Sequence, residues 1–193
     1  MFKIDENIYV IPKTKNMGIL KFPKCNLETK AYIGKNGLTT KKTEGDGKTP
    51  IGEFSLGTIL GTHEMVKNKN GLEYIKITDN MYWVDDSKSK YYNKLVDISK
   101  VEKDWDSAEH LINYPMQYEY LIEIRTNPRN IPENGSAIFL HCEANKPTAG
   151  CVAIGKQFMK KIIENIDENT KIVICENENL YSINNWKNGG WAW

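Results

Sequence analysis

Apolar residues in this chain come mostly in short runs broken by Gly, Asn, Asp and Lys, a pattern of strands and turns rather than long helices. GILKF (18–22) and KAYIGKNG (30–37) read as strands, the second closing in a turn at Lys35-Asn36-Gly37. GEFSLGTIL (52–60) and EYIKIT (73–78) alternate or cluster β-branched and aromatic residues. In YEYLIEIRT (118–126), Tyr118, Tyr120, Ile122 and Ile124 alternate against charged neighbours, which predicts a half-buried strand. SAIFLHC (136–142) is apolar at successive positions, as in a strand covered on both faces, and KIVICE (171–176) reads as a further strand. One helix is expected over 155–170, where Phe158, Met159, Ile162, Ile163 and Ile166 share a face and lysines and acids take the other. A second helix is expected over 99–112. The sum is a mainly β domain with a few short helices.

The length of 193 residues suits one domain with decorations. Its 26 basic and 25 acidic residues nearly cancel, which removes any electrostatic case for nucleic acid as a partner. No apolar stretch reaches the roughly 18 residues that span a bilayer. The opening MFKIDENIYVIPKTKN lacks the basic start and uninterrupted apolar run of a secretory leader. The expectation is a protein retained in the cell, or a mature or trimmed form of an exported one. Four cysteines, Cys25, Cys142, Cys151 and Cys175, are too sparse for a disulfide scaffold and form no C-x-x-C pair; no bridge is assigned.

Candidate chemistry concentrates in AIFLHCEANKPTAGCVAIG (137–155). A thiol attacks as thiolate, and a nearby His can take its proton. Attack on a carbonyl also needs donors for the developing oxyanion, which backbone N–H groups in a tight turn supply. PTAGCV offers that turn: Pro147 stiffens the approach, Gly150 permits the bend, and the N–H groups of Gly150 and Cys151 are candidate oxyanion donors. His141 ends a buried strand, which would fix its ring. Neighbours in a strand point to opposite faces, so with His141 in a cleft, Cys142 belongs to the core as a small hydrophobe. Cys175 is expected to be buried too, and Cys25 exposed in a polar loop. A Cys and a His in one loop also occur by coincidence, and spacing does not decide between the two. A metal site from His141, Cys142 and Cys151 matches no common zinc pattern.

The polar Gly-rich stretch TTKKTEGDGKTPIGEF (39–54) matches neither common phosphate-cradling pattern, and alone it reads as a surface hairpin. Trp83, Tyr91 and Tyr92 would either wall a cleft or fill the core, the second being the commoner fate of such residues. Trp186, Trp191 and Trp193 of the tail NNWKNGGWAW would dock on the domain or stack on glycan.

GSAIFLHCEANKPTAGCVAI resembles the active-site segment of the L,D-transpeptidases, the YkuD-type domain, in which a His and a spacer precede Ser/Thr-His-Gly-Cys. His141 matches the catalytic histidine, Thr148 the Ser/Thr position, and Gly150-Cys151 the Gly-Cys with its nucleophile. YIGKNGLTTKKTEGDGKTPIGEFSL, YWVDDSKSKYYNKLV (82–96) and DSAEHL (106–111) are similar to one branch of the family, which carries PTAGC in the motif. The chain departs from the commoner pattern in having Ala149 for the second His, Ala153 for an Arg or Asn, and a shorter spacer. Similarity runs from about residue 30 to about 175. It implies a lead segment (1–29) packed on the domain, a catalytic domain (30–176) and a Trp-rich tail (177–193).

The resemblance implies a β-sandwich-like catalytic fold and a cysteine transpeptidase that needs no metal or organic cofactor. Cys151 would attack the bond between an L-centre and D-Ala in a peptidoglycan stem peptide. His141 would be the general acid/base, with the N–H groups of Gly150 and Cys151 at the oxyanion. Lys42, Glu44, Asp46, Thr148 and Ser136 would lie on the substrate side. Partners would be stem peptides, as donor and as amine acceptor, with carbapenem β-lactams as covalent inhibitors. The substrate would place the protein outside the cytoplasm, at the cell wall or in a periplasm. Two other readings use the same residues: a hydrolase that trims stem peptides, and a peptidoglycan-binding module with an inert Cys151.

Overall fold

The computed structural model describes residues 5–64 and 66–178; the tail tryptophans lie outside the described residues. β1 (Ile8–Pro12), β2 (Met17–Phe22) and β3 (Leu27–Tyr32) form an antiparallel meander. β4 (Leu38–Thr39) and β5 (Thr49–Pro50) pair in parallel at the two ends of the Gly-rich loop. Then come β6 (Gly52–Gly61), β7 (Tyr74–Lys76), β8 (Met81–Val84), β9 (Leu95–Asp97), β10 (Ala108–His110), β11 (Leu121–Ile124), β12 (Phe139–Cys142), β13 (Val152–Ile154), α1 (Lys156–Asn165) and β14 (Lys171–Ile174).

Nine strands make one sheet in the order β11-β12-β13-β3-β2-β1-β14-β6-β7, and a further pairing of β6 with β11 closes it on itself. β6 can do this because it is long: Gly52–Ser55 pair with β14, while Leu56, Ile59 and Leu60 pair with β11. Opposite sides of the sheet thus share one apolar core, the sandwich-like layering expected of a mainly β domain. Ile8, Leu20, Phe22, Ile122, Leu140 and Ile172 meet there, and α1 adds Met159, Ile162 and Ile163. Each fully buried side chain of this size contributes about 1.5–3 kcal/mol. The amide of Asn68 donates to the carbonyls of Ile163 and Ile166, supplying partners at the helix end that the helix itself lacks. The segment before residue 30 is part of this sheet: β1 lies between β2 and β14, and β3 runs through residue 30.

A small antiparallel sheet, β10-β8-β9, packs on the outer face. Trp83, Leu111 and Tyr118 meet Leu121 and Phe139 in a second cluster, so β11 and β12 are buried on both sides. The helix expected over 99–112 does not form. β10 and a 3-10 turn at Leu111–Asn113 stand there instead. Asp and Ser side chains capture the backbone in this region: Asp86 accepts from the amide of Asp106, and Asp104 from the Ser89 hydroxyl and the Lys90 amide. Such local bonds compete with helical ones. Val101, Trp105 and Ala108 pack with Val84 and Val96 rather than along one helix face. Of the aromatic residues in question, Trp83 and Tyr92 are buried, and Tyr91 packs edge-on against Trp105.

Candidate active site

All four residues of β12 are buried. Alternation sends Leu140 and Cys142 to the core and Phe139 to the outer cluster. His141 shares the outer face and lines a cleft there, its ring edge-on to Tyr118. β13 lies beside β12 in parallel, with His141 opposite Ala153. Parallel neighbours usually need a dozen or more connecting residues; here residues 143–151 suffice. Both strands are short, so at about 3.3 Å per residue the chain returns only ~13 Å to start β13. The connection therefore crosses the outer face, and Cys151 stands at its end. Being two residues before Ala153, Cys151 falls on the same face as His141. Cys142, on the opposite face, cannot join them, which also separates the three residues weighed for a metal.

The turn that carries Cys151 is held from several sides. The Cys151 carbonyl accepts from Thr148 Oγ1 at 2.6 Å and Thr49 Oγ1 at 3.2 Å. Thr49 Oγ1 in turn accepts from the Gly34 amide at 2.8 Å. Gly34 is required for this approach, since a Cβ there would lie 2.6 Å from the Gly47 carbonyl oxygen. Gly150 has φ +148°, and a Cβ on it would come within 3.0 Å of the Lys48 carbonyl oxygen and 3.1 Å of Ile138 Cδ1. The Cys151 thiol donates to the Ala137 carbonyl at 3.2 Å and accepts from the Phe139 amide at 3.3 Å. Ala137 is itself left-handed, with φ 52°, and its amide is held by Asn93 Oδ1 at 3.2 Å.

His141 Nδ1 lies 2.8 Å from the Cys142 carbonyl oxygen. That bond places the proton on Nδ1 and leaves Nε2 as the basic nitrogen. Burial pushes the His141 pKa down to about 4. Burial also pushes the Cys151 thiol up to about 12, with the Glu109 charge adding to it and the Phe139 amide and Lys42 only partly opposing it. The resting pair is thus a neutral thiol and a neutral imidazole.

Two cavities meet at Cys151. The first, about 360 Å³, is lined by His141, Tyr114, Tyr118, Pro147 and Thr148. Ala149 and Ala153 also line it, so the small residues at the two departures from the family motif keep the floor beside His141 open. The second, about 200 Å³, is lined by Lys42, Glu44, Asp85, Ser136 and Gly150. Glu109 and Lys35 border both.

The expected site residues divide accordingly. His141, Thr148 and Cys151 share the first cavity; Lys42, Glu44, Ser136, Gly150 and Cys151 share the second. Asp46 serves the loop itself, accepting from the Lys42 ammonium, the Thr43 amide at 3.1 Å and the Lys48 amide at 2.8 Å. Burial would raise its pKa; these donors outweigh that and hold it low. The Gly150 amide, expected to face the oxyanion, instead donates to Thr148 Oγ1 at 3.1 Å. The same hydroxyl that grips the Cys151 carbonyl draws it away, so the Cys151 amide remains as the candidate donor.

Sequence reasoning missed Glu109 and the Tyr118 hydroxyl that donates to it. Burial lifts the Glu109 carboxyl to about 7; Tyr118 opposes this, and the charges of Asp85 and Glu44 add to it. Its segment was singled out by resemblance, but a lone acid in a polar stretch carries no periodic signal.

No curated protein matches this chain. A solved structure described as that of Bdellovibrio bacteriovorus Bd1075 is similar over 90% of this chain and 49% of its own, at 17% identity and a TM-score of 0.43. The chain thus spans about half the length of that protein. The model of the YkuD family, described as the L,D-transpeptidase catalytic domain, matches residues 5–174. That match takes in every strand of the closed sheet and both candidate catalytic side chains, and the chain belongs to the YkuD family of L,D-transpeptidase catalytic domains.

Proposed function

We propose that this protein is a cysteine L,D-transpeptidase that cross-links peptidoglycan through an acyl-enzyme on Cys151. The observation that carries this is the presence of the Cys151 thiol and the His141 ring in one cleft, fixed there by the β12–β13 register. The donor is a stem peptide ending in D-Ala. As sulfur attacks the carbonyl of the L-centre, the S–H proton passes to His141 Nε2. A tetrahedral oxyanion forms beside the Cys151 amide. Collapse breaks the C–N bond, His141 returns the proton to the leaving amine, and D-Ala departs. A side-chain amine of a second stem then attacks the thioester, yielding the cross-link and the free thiol.

Burial holds the His141 imidazole down and the Cys151 thiol up, so His141 is assigned as the general base that takes the thiol proton. Thr148 and Ser136 are assigned to the substrate side with Lys42 and Glu44, each lining one of the cavities beside the thiol. The substrate places the reaction outside the cytoplasmic membrane, and carbapenems are expected to acylate the same sulfur. Among the described residues no helix is long and apolar enough to cross a membrane. With water as acceptor the same site would be an L,D-carboxypeptidase.

The test is incubation with a disaccharide-tetrapeptide donor, with and without an amine acceptor, followed by mass analysis of products and protein. D-Ala release, a Cys151 adduct and an amide product are expected, all lost in Cys151→Ala. An adduct mapped to Cys142, or D-Ala release that survives Cys151→Ala, refutes the assignment.

A further inference from the structure

The geometry points to Glu109 as the group that receives the attacking amine: it binds the acceptor's primary ammonium and takes its proton. This rests on the transpeptidase reading above. Glu109 stands where the two cavities join, beside Cys151. Among the described residues its carboxylate accepts one hydrogen bond, from Tyr118 Oη, and pairs with no cation. Asp85 lines the second cavity, and its Oδ1 is buried without a hydrogen-bond partner. Glu44, on the same wall, accepts from Tyr92. Two lysines line this cavity: Lys42 is engaged by Asp46 and the Thr43 carbonyl, and Lys35 borders both cavities but forms no ion pair with Glu109 among the described residues. The second cavity therefore presents negative charge and unfilled acceptor capacity to whatever enters beside the nucleophile. A primary ammonium supplies both the missing donors and the missing charge.

The chemistry balances. The ammonium gives one proton to Glu109, and the neutral amine attacks the thioester carbonyl. A C–N bond forms and the C–S bond breaks. The second nitrogen proton passes through His141 Nε2 to the departing Cys151 sulfur, and Glu109 releases its proton to solvent. A carboxyl lifted to about 7 is matched to that exchange near neutral pH. Water can donate to the same acceptors but brings no positive charge to pair with them, so Glu109 would favour aminolysis over hydrolysis.

Two measurements test this. First, Cys151→Ala protein, which cannot turn over, is titrated with Nα-acetyl-L-lysine amide, a single primary ammonium, and with its Nε-acetylated analogue. Adding Glu109→Gln should weaken binding of the ammonium by about tenfold, the scale of one charge-assisted hydrogen bond, and leave the neutral analogue unaffected. Equal ammonium affinities with and without Glu109→Gln overturn the inference. Second, intact-mass quench experiments follow acylation by the donor and its partition between amine and water. Glu109→Gln removes a negative charge beside the sulfur, so acylation should be no slower, while the aminolysis-to-hydrolysis ratio should fall at least about tenfold. Asp85→Asn should raise KM for the amine and hold kcat. An unchanged ratio in Glu109→Gln, or an equal loss in acylation and aminolysis, overturns the inference. If wild-type protein forms no adduct on Cys151, the transpeptidase reading fails, and the titration alone decides whether Glu109 holds an ammonium.

Discussion

Thr49→Val isolates the clamp behind Cys151. Thr49 is fully buried, and its hydroxyl makes two bonds at once, donating to the Cys151 carbonyl and accepting from the Gly34 amide. Valine keeps the shape and removes both. The Cys151 carbonyl retains Thr148 Oγ1, so its loss is small. The Gly34 amide, whose bond to Thr49 is buried, is left without that acceptor. An orphaned buried donor costs about 1–3 kcal/mol. At about 2 kcal/mol, a domain of this size should lose roughly 4–8 °C in Tm. Urea unfolding should show a lower midpoint with an unchanged slope, since little surface exposure changes. The rate of carbapenem adduct formation on Cys151 should fall too, because one of two anchors of its turn is gone. A destabilisation below about 0.5 kcal/mol, the ordinary range of surface changes, would refute the account of this clamp.

The remaining predictions concern the same cleft. Gly150→Ala forces a side chain into a positive-φ site against the Lys48 carbonyl; a loss of about 1–3 kcal/mol and of adduct formation is expected by urea unfolding and intact mass. Cys142→Ala should cost about 1 kcal/mol from core packing, read by the same unfolding assay, while the Cys151 adduct still forms. Glu109 is raised to about 7 in the fold, so its favourable protonated form is fully present below the unfolded carboxyl pKa, and that contribution is lost as pH rises toward 7. Glu109→Gln should therefore gain on wild type from pH 4.5 to 8, by on the order of 2 kcal/mol in chemical unfolding. His141 is lowered to about 4, so its contribution is full above pH 6.5 and is lost as pH falls toward 4. His141→Gln should flatten that acid-side loss, and the two opposite slopes should separate only in the single variants.

Much of the site was legible because it is local. His141 and Cys142 adjoin in one strand, and alternation alone assigns one to the cleft and the other to the core. Gly150 before Cys151 announces a turn that side chains resist. Glu109 was not legible: it reaches the cleft because β10 pairs with β8 on the outer face, a contact between distant segments. The bonds that Asp46 and the Gly150 amide make were not legible for a related reason. Their hydrogen-bond partners, the Thr43 and Lys48 amides and Thr148 Oγ1, lie within a few residues, but only folded geometry decides which partner wins.

Periodicity and residue chemistry by themselves determined the mainly β class, the amphipathic α1 and the buried β12, and they marked His141 and Cys151 as the candidate pair. These depend on properties carried within a few consecutive residues: side-chain alternation, helical spacing, backbone freedom at glycine. Tertiary structure decided the closure of the sheet through β6, the short parallel return that puts Cys151 in one cleft with His141, and the acidic cavity around Glu109. Those depend on which distant strands pair and on how far burial removes water from charged groups, and neither quantity is written in any one stretch of the chain.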